Sequence, residues 1–264
     1  MKDPIESRLK LAKWLCEKLG EEALRYFERL DTLAVESKGP QDRVTEADRN
    51  VETLARKTIL EHFPDDGVIG EEHEPTEGSS GYDWVIDPID GTNNFVSGIP
   101  VWTNVLACVE GSRIVAGVIH DPNMNEMFYC RAGGGAFLNG EPIEASRATS
   151  LGEGILGMGF SRHSDPEAIA RIIEVVMNRE GSITKNGSGA LSLAYAACGR
   201  FIGFLEFHMN AWDCLAGLLM IQESGGNAAN LDVKSMLASG GQVVVGGPGL
   251  IEEIDEIVRS ALAS

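Results

Sequence analysis

Asp87 and Asp90 close a short apolar run, Trp84-Val85-Ile86, with only Pro88 and Ile89 between them, and Gly91-Thr92 follows at once. The run reads as the end of a buried strand. Two acids held there repel each other and lose solvation, which disfavours their charged forms. A hard divalent cation makes such a cluster tolerable. The spacing therefore predicts a metal site, and the Gly-Thr step predicts an anion bound beside the metal. Two further acids qualify as ligands. Glu71 sits in Gly70-Glu71-Glu72, delivered by a short strand at Val68-Ile69, and Asp213 follows Trp212 at a helix start. Each has a plainer explanation: Asp213 as a helix cap, Glu71 and Glu72 as solvated loop charges, Asp90 as an Asx turn before Gly91. A single shared site accounts for all of them at once.

The elements that must position these acids follow from periodicity. Leu9, Leu11-Ala12, Leu15-Cys16 and Leu19 predict a helix over residues 5–30. A break is expected through Leu30–Val44. Thr45 then starts a second helix as N-cap, with Asp48 in the capping-box position, running to about Phe63 and burying Val51, Leu54, Ile59 and Leu60. A polar loop at 74–83 precedes the Asp87 run. Strands are expected at 101–110 and 114–120 around a Gly111-Ser112 turn, and at 127–130 before a Gly133–Gly135 turn, with Asn139-Gly140 as a second turn. The second half alternates: strands at 154–159, 182–185, 201–207 and 242–246, helices at 166–178, 190–198, 212–224 and 250–262. Helices followed by a strand meander suit an α+β layer. The soft boundary near Thr149–Gly154 predicts two tightly joined subdomains, residues 1–150 and 151–264.

The chain has 264 residues, enough for one large core or two joined ones. Its net charge of -18 argues against nucleic acid and anionic membranes as partners, and an anionic substrate would need bound cations to invert the local field. The five cysteines, Cys16, Cys108, Cys130, Cys198 and Cys214, are widely spaced without a C-x-x-C, so neither a disulfide scaffold nor a zinc ribbon fits, and buried thiols in a reducing compartment are expected. With no secretory pattern at the N-terminus and no apolar run of membrane-spanning length, the expected location is the cytoplasm.

Gly70-Glu71-Glu72, Asp87-Pro88-Ile89-Asp90-Gly91-Thr92, Gly187-Ser188-Gly189-Ala190 and Trp212-Asp213 together resemble the inositol monophosphatase family, the lithium-sensitive, magnesium-dependent phosphatases. The resemblance covers most of the chain and implies a layered α-β-α-β-α sandwich. Residues 1–150 would carry most metal ligands, and 151–264 would carry substrate recognition and the last ligand. It implies two or three Mg2+ ions, with Mn2+ as a substitute. Glu71, Asp87 and the Ile89 carbonyl would hold one ion, Asp87, Asp90 and Asp213 a second, and Glu71 would share a weaker third with the substrate. Asp48 and Thr92 would activate the attacking water, supported by Glu72, while the Gly91 and Thr92 amides receive the phosphate. Asn93, Gly187, Ser188, Gly189, Glu206 and Asp213 would read the alcohol. Lys38 matches a loop lysine near the site in relatives. A homodimer is also implied.

Phosphate-ester hydrolysis asks for the same parts. Two cations roughly 3.5–4 Å apart stabilise the attacking and leaving oxygens, and oxygen-only ligands suit magnesium better than zinc. A covalent aspartyl route expects D-x-D, whereas the pair here is D-x-x-D. Three positions depart from the family pattern: Asn93 for Thr, Gly189 for Ala, and Ser192 for the Asp of bacterial relatives. The basic residue or lysine that histidinol and nucleotide phosphatases carry at the Asn93 position is absent. The expected substrate is inositol monophosphate or a similar small polyol phosphate. Histidinol phosphate and fructose bisphosphate are the alternatives, and a transcription-associated, protein-binding adaptor of the same fold is the reading from another class. His163 and His208 are read as background, whereas for Arg162 the sequence leaves open pairing with acid residues or with a second phosphate.

Overall fold

The computed structural model describes residues 3–33, 35–39, 42–161 and 164–263; Arg162 and His163 lie outside them, and so does the side chain of Lys38. In chain order the elements begin with α1 (Pro4–Phe27), the hairpin β1 (Val35–Gly39) and β2 (Asp42–Thr45), α2 (Glu46–His62), β3 (Gly67–Gly70) and β4 (Tyr82–Asp90). The short α3 (Thr92–Val96) leads into β5 (Thr103–Glu110), β6 (Arg113–Asp121), β7 (Glu126–Arg131), β8 (Gly135–Leu138) and β9 (Glu141–Pro142). Next come β10 (Ile155–Gly159), α4 (Pro166–Asn178), β11 (Ser182–Thr184), α5 (Gly189–Ala197), β12 (Gly203–Met209) and α6 (Ala211–Glu223). The chain ends with β13 (Asn227–Ala228), α7 (Val233–Ser239), β14 (Gly241–Gly246) and α8 (Ile251–Ala263).

Strands β3 to β9 lie in sequence order in one sheet, antiparallel except for the parallel β3–β4 pair. A second, mixed sheet has the order β11-β10-β12-β14-β13. Helices α1 and α2 cover one face of the first sheet, where Leu15, Cys16, Leu19, Val51 and Ile59 bury against Trp84, Ile86 and Leu106. Its other face packs on α5 and α6, in a core that draws Val85, Val105 and Phe128 together with Leu193, Leu215 and Val245 of the second half. Helix α6 is apolar on nearly every side, with Cys214 to Ile221 all buried, as a helix enclosed between layers must be. On the far side of the second sheet, α4 and α8 close the core around Ile172, Leu205 and Ile254. Helices and sheets thus alternate in an α+β layered architecture.

The stretch expected as a break holds the β1–β2 hairpin, and α1 stops at Phe27 rather than Leu30. Strand β12 runs from Gly203 to Met209, two residues later than its apolar pattern suggested. Leu54 and Leu60 are only half-buried, unlike Val51 and Ile59. Cys16, Cys108, Cys130 and Cys214 are buried and Cys198 is half-buried, all as free thiols, and burial pushes the Cys108 thiol up to about 12. Among the described residues no helix is long and apolar enough to cross a membrane.

One buried ion pair fastens α1 to the strand layer. The Arg8 guanidinium meets Asp66 through two bonds of 2.8 and 2.6 Å, while Ser80 Oγ and Trp84 Nε1 donate to the same carboxylate at 2.7 and 2.9 Å. Burial alone would raise the Asp66 carboxyl, but these donors outweigh it and hold it below its ordinary value. Removing one partner strands the other charge away from water. Arg8→Met is therefore expected to destabilise the fold by about 3–5 kcal/mol in denaturant unfolding, and a loss under about 1 kcal/mol, the worth of a surface pair, would contradict that role.

Candidate active site

Asp87 and Asp90 are three residues apart, and a regular strand alternates its side chains between faces. They would therefore point to opposite sides of β4. The register against β5 shifts between them: Asp87 pairs with Val105 but Asp90 with Thr103, so β4 fits one extra residue. Such a bulge re-aims the following side chain and brings both carboxylates to one cavity. Pro88 is tolerated there because a bulge does not need its missing N–H, and its carbonyl accepts from Asn104 Nδ2 at 2.6 Å. The Ile89 N–H donates to Asp87 Oδ1 at 2.9 Å.

Asp90 ends β4 and meets the start of α5. Its carboxylate accepts from Ser188 Oγ, from the Ala190 N–H at 2.9 Å and from the Gly189 N–H at 3.3 Å. Asp213 lies in the first turn of α6, where Oδ2 accepts from the Asn210 N–H at 3.1 Å. Asp87, Asp90 and Asp213 each offer an oxygen within 4.8 Å of the others. Glu71 follows β3, whose parallel register sets Gly70 beside Ile86 and so Glu71 beside Asp87. All four acids line one cavity of about 470 Å³ with Ile89, Gly91, Thr92, Asn93, Gly187, Ser188, Gly189 and Glu206. Sequence positions as far apart as 71 and 213 converge.

Burial first, and then Glu71, Asp90 and Asp213, push the Asp87 carboxyl well up. Burial raises Asp90 against the pull of its donors, and lifts Asp213 to about 7 with the help of Asp90. Among the described residues no arginine or lysine forms an ion pair with any of the three. Three converging carboxylates with no paired cation among the described residues fit a hard divalent cation.

Asp48 is fully buried beside this cavity at the N-terminus of α2, where the expected capping box forms: Thr45 N–H and Oγ1 donate to Asp48 Oδ2 at 2.8 and 2.6 Å. Its Oδ1 accepts from Thr92 Oγ1 at 3.2 Å, and the same hydroxyl lies 3.0 Å from the Ile89 carbonyl. Burial raises the Asp48 carboxyl against these hydrogen bonds. Glu72, by contrast, does not line the cavity; its N–H donates to Glu52 Oε2 at 2.7 Å. At the other end, burial and then Asp213 and Asp90 push Glu206 up to about 8, and Lys185 moderates the shift. A Cβ at Gly159 would come 2.1 Å from Glu206 Oε2, so the glycine makes room for that carboxylate. A Cβ at Gly189 would come 2.6 Å from Met209 Cε and 3.6 Å from Glu206 Oε2, so this glycine makes room for the methionine methyl.

Asn94, Lys185 and Asn186 also line the cavity, though their sequence context did not mark them. Asn94 Nδ2 donates to the Val101 and Asn186 carbonyls at 2.7 and 2.8 Å, and Asn186 Oδ1 accepts from the Ser188 N–H at 3.0 Å. Lys185 Nζ donates to the Phe160 carbonyl at 2.9 Å and sits 4.0 Å from the centre of its ring. Their one sequence signal is adjacency: Asn94 extends the Asp87–Asn93 run, and Lys185-Asn186 precedes Gly187. His208 is exposed, on the strand that carries Glu206.

The model of the inositol monophosphatase family matches residues 5–262. An inositol-1-monophosphatase of Rhizobium meliloti is 34% identical over 250 residues, 94% of either chain. A fructose-1,6-bisphosphatase/inositol-1-monophosphatase of Thermotoga maritima is 36% identical over 252 residues, 96% of this chain and 94% of its own. The crystal structure of the extragenic suppressor protein suhB from Bartonella henselae superposes with a TM-score of 0.91 at 29% identity, covering 96% of this chain and 98% of that one. The chain therefore belongs to the inositol monophosphatase family.

Proposed function

We propose that the protein is a magnesium-dependent phosphomonoesterase acting on inositol monophosphate or a similar small polyol phosphate. The observation that carries this reading is the convergence of Glu71, Asp87, Asp90 and Asp213 on one cavity, next to the Asp48–Thr92 pair. Membership of the family and the activities named for the two relatives support it. Glu71, Asp87, Asp90, Asp213 and the Ile89 carbonyl would hold the Mg2+ ions, with Mn2+ as a substitute. Bound there, the cations supply Lewis acidity and neutralise charge that develops on the phosphoryl group.

The chain's own residues do the rest. Thr92 Oγ1 takes a proton from the attacking water as its own proton passes to Asp48 Oδ1. Burial keeps Asp48 basic enough to take that proton, and its bonds to Thr45 fix its orientation. Glu72 acts through the loop it shares with Glu71 rather than by contact with the reacting atoms. The backbone around Gly91 and Thr92 receives the phosphate. Asn93 and the 187–189 turn bracket the alcohol, and Glu206 accepts hydrogen bonds from its hydroxyls, with Asp213 at the boundary between alcohol and phosphate. The acidic group comes from residues 1–150 except for Asp213, and the alcohol-reading group from residues 151–264 except for Asn93.

The test is phosphate release from inositol phosphate, glycerol phosphate, histidinol phosphate, fructose bisphosphate and adenosine bisphosphate. Turnover is expected to be highest on a polyol monophosphate and to vanish with chelator. Glu206→Ala is expected to lower kcat/KM on polyhydroxylated substrates by about 10-fold, the worth of one hydrogen bond to a charged group, while glycerol phosphate changes less. Equal loss across the panel would remove Glu206 from substrate reading, and no release from any member would refute the phosphatase.

A further inference from the structure

Two residues of α2 bear on the loop that delivers Glu71. Glu52 and Arg56 are one turn apart, yet they point inward: the Glu52 side chain is fully buried and Arg56 is 12% exposed. Arg56 Nε donates to Glu52 Oε1 at 2.6 Å. Apart from a bond of 3.3 Å from Arg56 Nη1 to Thr76 Oγ1, what remains of both groups goes to the backbone of residues 72–74. Glu52 Oε2 accepts from the Glu72 N–H at 2.7 Å, Arg56 Nη2 donates to the His73 carbonyl at 3.0 Å, and Nη1 donates to the Glu74 carbonyl at 3.0 Å. A Cβ at Gly70 would lie 2.1 Å from Glu52 Oε1. The glycine of Gly70-Glu71-Glu72 is thus a glycine because the Glu52 carboxylate rests against its Cα.

We infer that Glu52 and Arg56 are positioning residues that set the affinity of the Glu71 end of the acidic cluster for divalent cations. The inference rests on the cation-binding reading proposed above. Glu71 needs holding because it follows β3 directly into a field of like charge: Asp87 and Asp90 would drive a loosely tethered carboxylate outward. The clamp grips the backbone on the C-terminal side of Glu71 and β3 grips it on the N-terminal side, so the point from which the side chain leaves is held from both directions. The anchoring helix also carries Asp48, four residues before Glu52 and so about 6 Å along its axis. One rigid element therefore fixes the spacing between the water-activating carboxylate and the cation ligand on the loop. As a pair, Glu52 and Arg56 cancel each other's charge, which lets them sit beside the cluster without competing for its cation.

The test is the affinity of the full-length protein for Mn2+ alone, by titration calorimetry, beside the Mg2+ dependence of phosphate release. Arg56→Met is expected to raise the Mn2+ Kd about 10-fold, within the range for residues that orient metal ligands. The Mg2+ concentration for half-maximal rate should rise by the same factor, with kcat at saturating Mg2+ within about twofold of the parent, as expected when only ground-state binding is lost. Arg56→Lys keeps the charge opposite Glu52, but a point ammonium cannot match the guanidinium fork. It should show a smaller rise in the same direction, and it serves as the test should Arg56→Met not fold. An unchanged Mn2+ Kd in either folded variant, with only the unfolding temperature lowered, overturns the inference and leaves the pair a purely structural contact. Failure of the parent protein itself to bind Mn2+ overturns the cation-binding reading, and the inference with it.

Discussion

Asp87→Asn should lose nearly all turnover and yet fold more stably without metal. Asparagine keeps an oxygen for the Ile89 N–H, which Asp87 Oδ1 accepts at 2.9 Å, so the β4 bulge survives. What disappears is an ionisable carboxyl whose charged form burial, Glu71, Asp90 and Asp213 all disfavour. Cations contribute several kcal/mol of transition-state stabilisation, so kcat/KM is expected to fall by about 10²–10⁴-fold at 1.36 kcal/mol per decade. Replacing a group that must either ionise against burial and like charge or hold a proton at a cost relieves the metal-free fold, so the unfolding temperature in chelator is expected to rise, a trade between activity and stability common at functional sites. A variant as active as the parent would remove Asp87 from the site. A variant less stable than the parent in chelator would mean that something other than a missing cation already compensates the cluster. The same variant separates a catalyst from an adaptor, since a surface that only binds another protein would lose nothing.

Stability in chelator is expected to fall as pH rises from about 6.5 to 8, and magnesium is expected to abolish that fall. Folded-state values raised by burial mean that the native chain holds protons on Asp213, up to about 7, and on Glu206, up to about 8, where the unfolded chain has already released them. Over that interval the native state binds more protons, so ΔG of unfolding decreases with pH, by up to about 1.4 kcal/mol per pH unit for each retained proton. The stabilisation is fully present below the unfolded carboxylate value and lost as pH passes the folded ones. His120 works the other way: burial disfavours its charged form, so it penalises the fold in acid, and the window above about 6.5 avoids it. A cation favours the ionised carboxylates and adds RT ln(1 + [L]/Kd), so the shift in unfolding temperature caused by Mg2+ should be larger at pH 8 than at pH 6.5. A metal-free stability that is flat or rises over this window would contradict burial of uncompensated acids.

The acids that line the cavity were legible in the sequence because each sits in a local signature: an apolar strand end, a Gly-Glu-Glu turn, a Trp-Asp helix start. The long helices and central strands were legible from periodicity. What was not legible depends on contacts between distant segments. Val35–Gly39 and Asp42–Thr45 are too polar and too short to show alternation, so their hairpin was read as a break. Strands β8, β9 and β13 are two to four residues long and exist only as partners of longer neighbours. The bulge that turns Asp87 and Asp90 to one side depends on the register with β5. Glu52 and Arg56 match an ordinary exposed i,i+4 pair, and only the packing of β3 and its loop over α2 reveals them as buried.

The seam between residues 90–94 and 186–190 constrains how this chain can be recombined. Asp90 receives Ser188 and two amides of α5, Asn94 reaches the Asn186 carbonyl, and a Cβ on Gly187 would come 2.6 Å from the Asn94 amide nitrogen. A chimera spliced near residue 150 from two relatives would have to inherit this interlocking turn as a unit. Halves whose turns do not mesh would lose the joint and the carboxylate geometry in a single stroke, whatever the quality of each half taken alone.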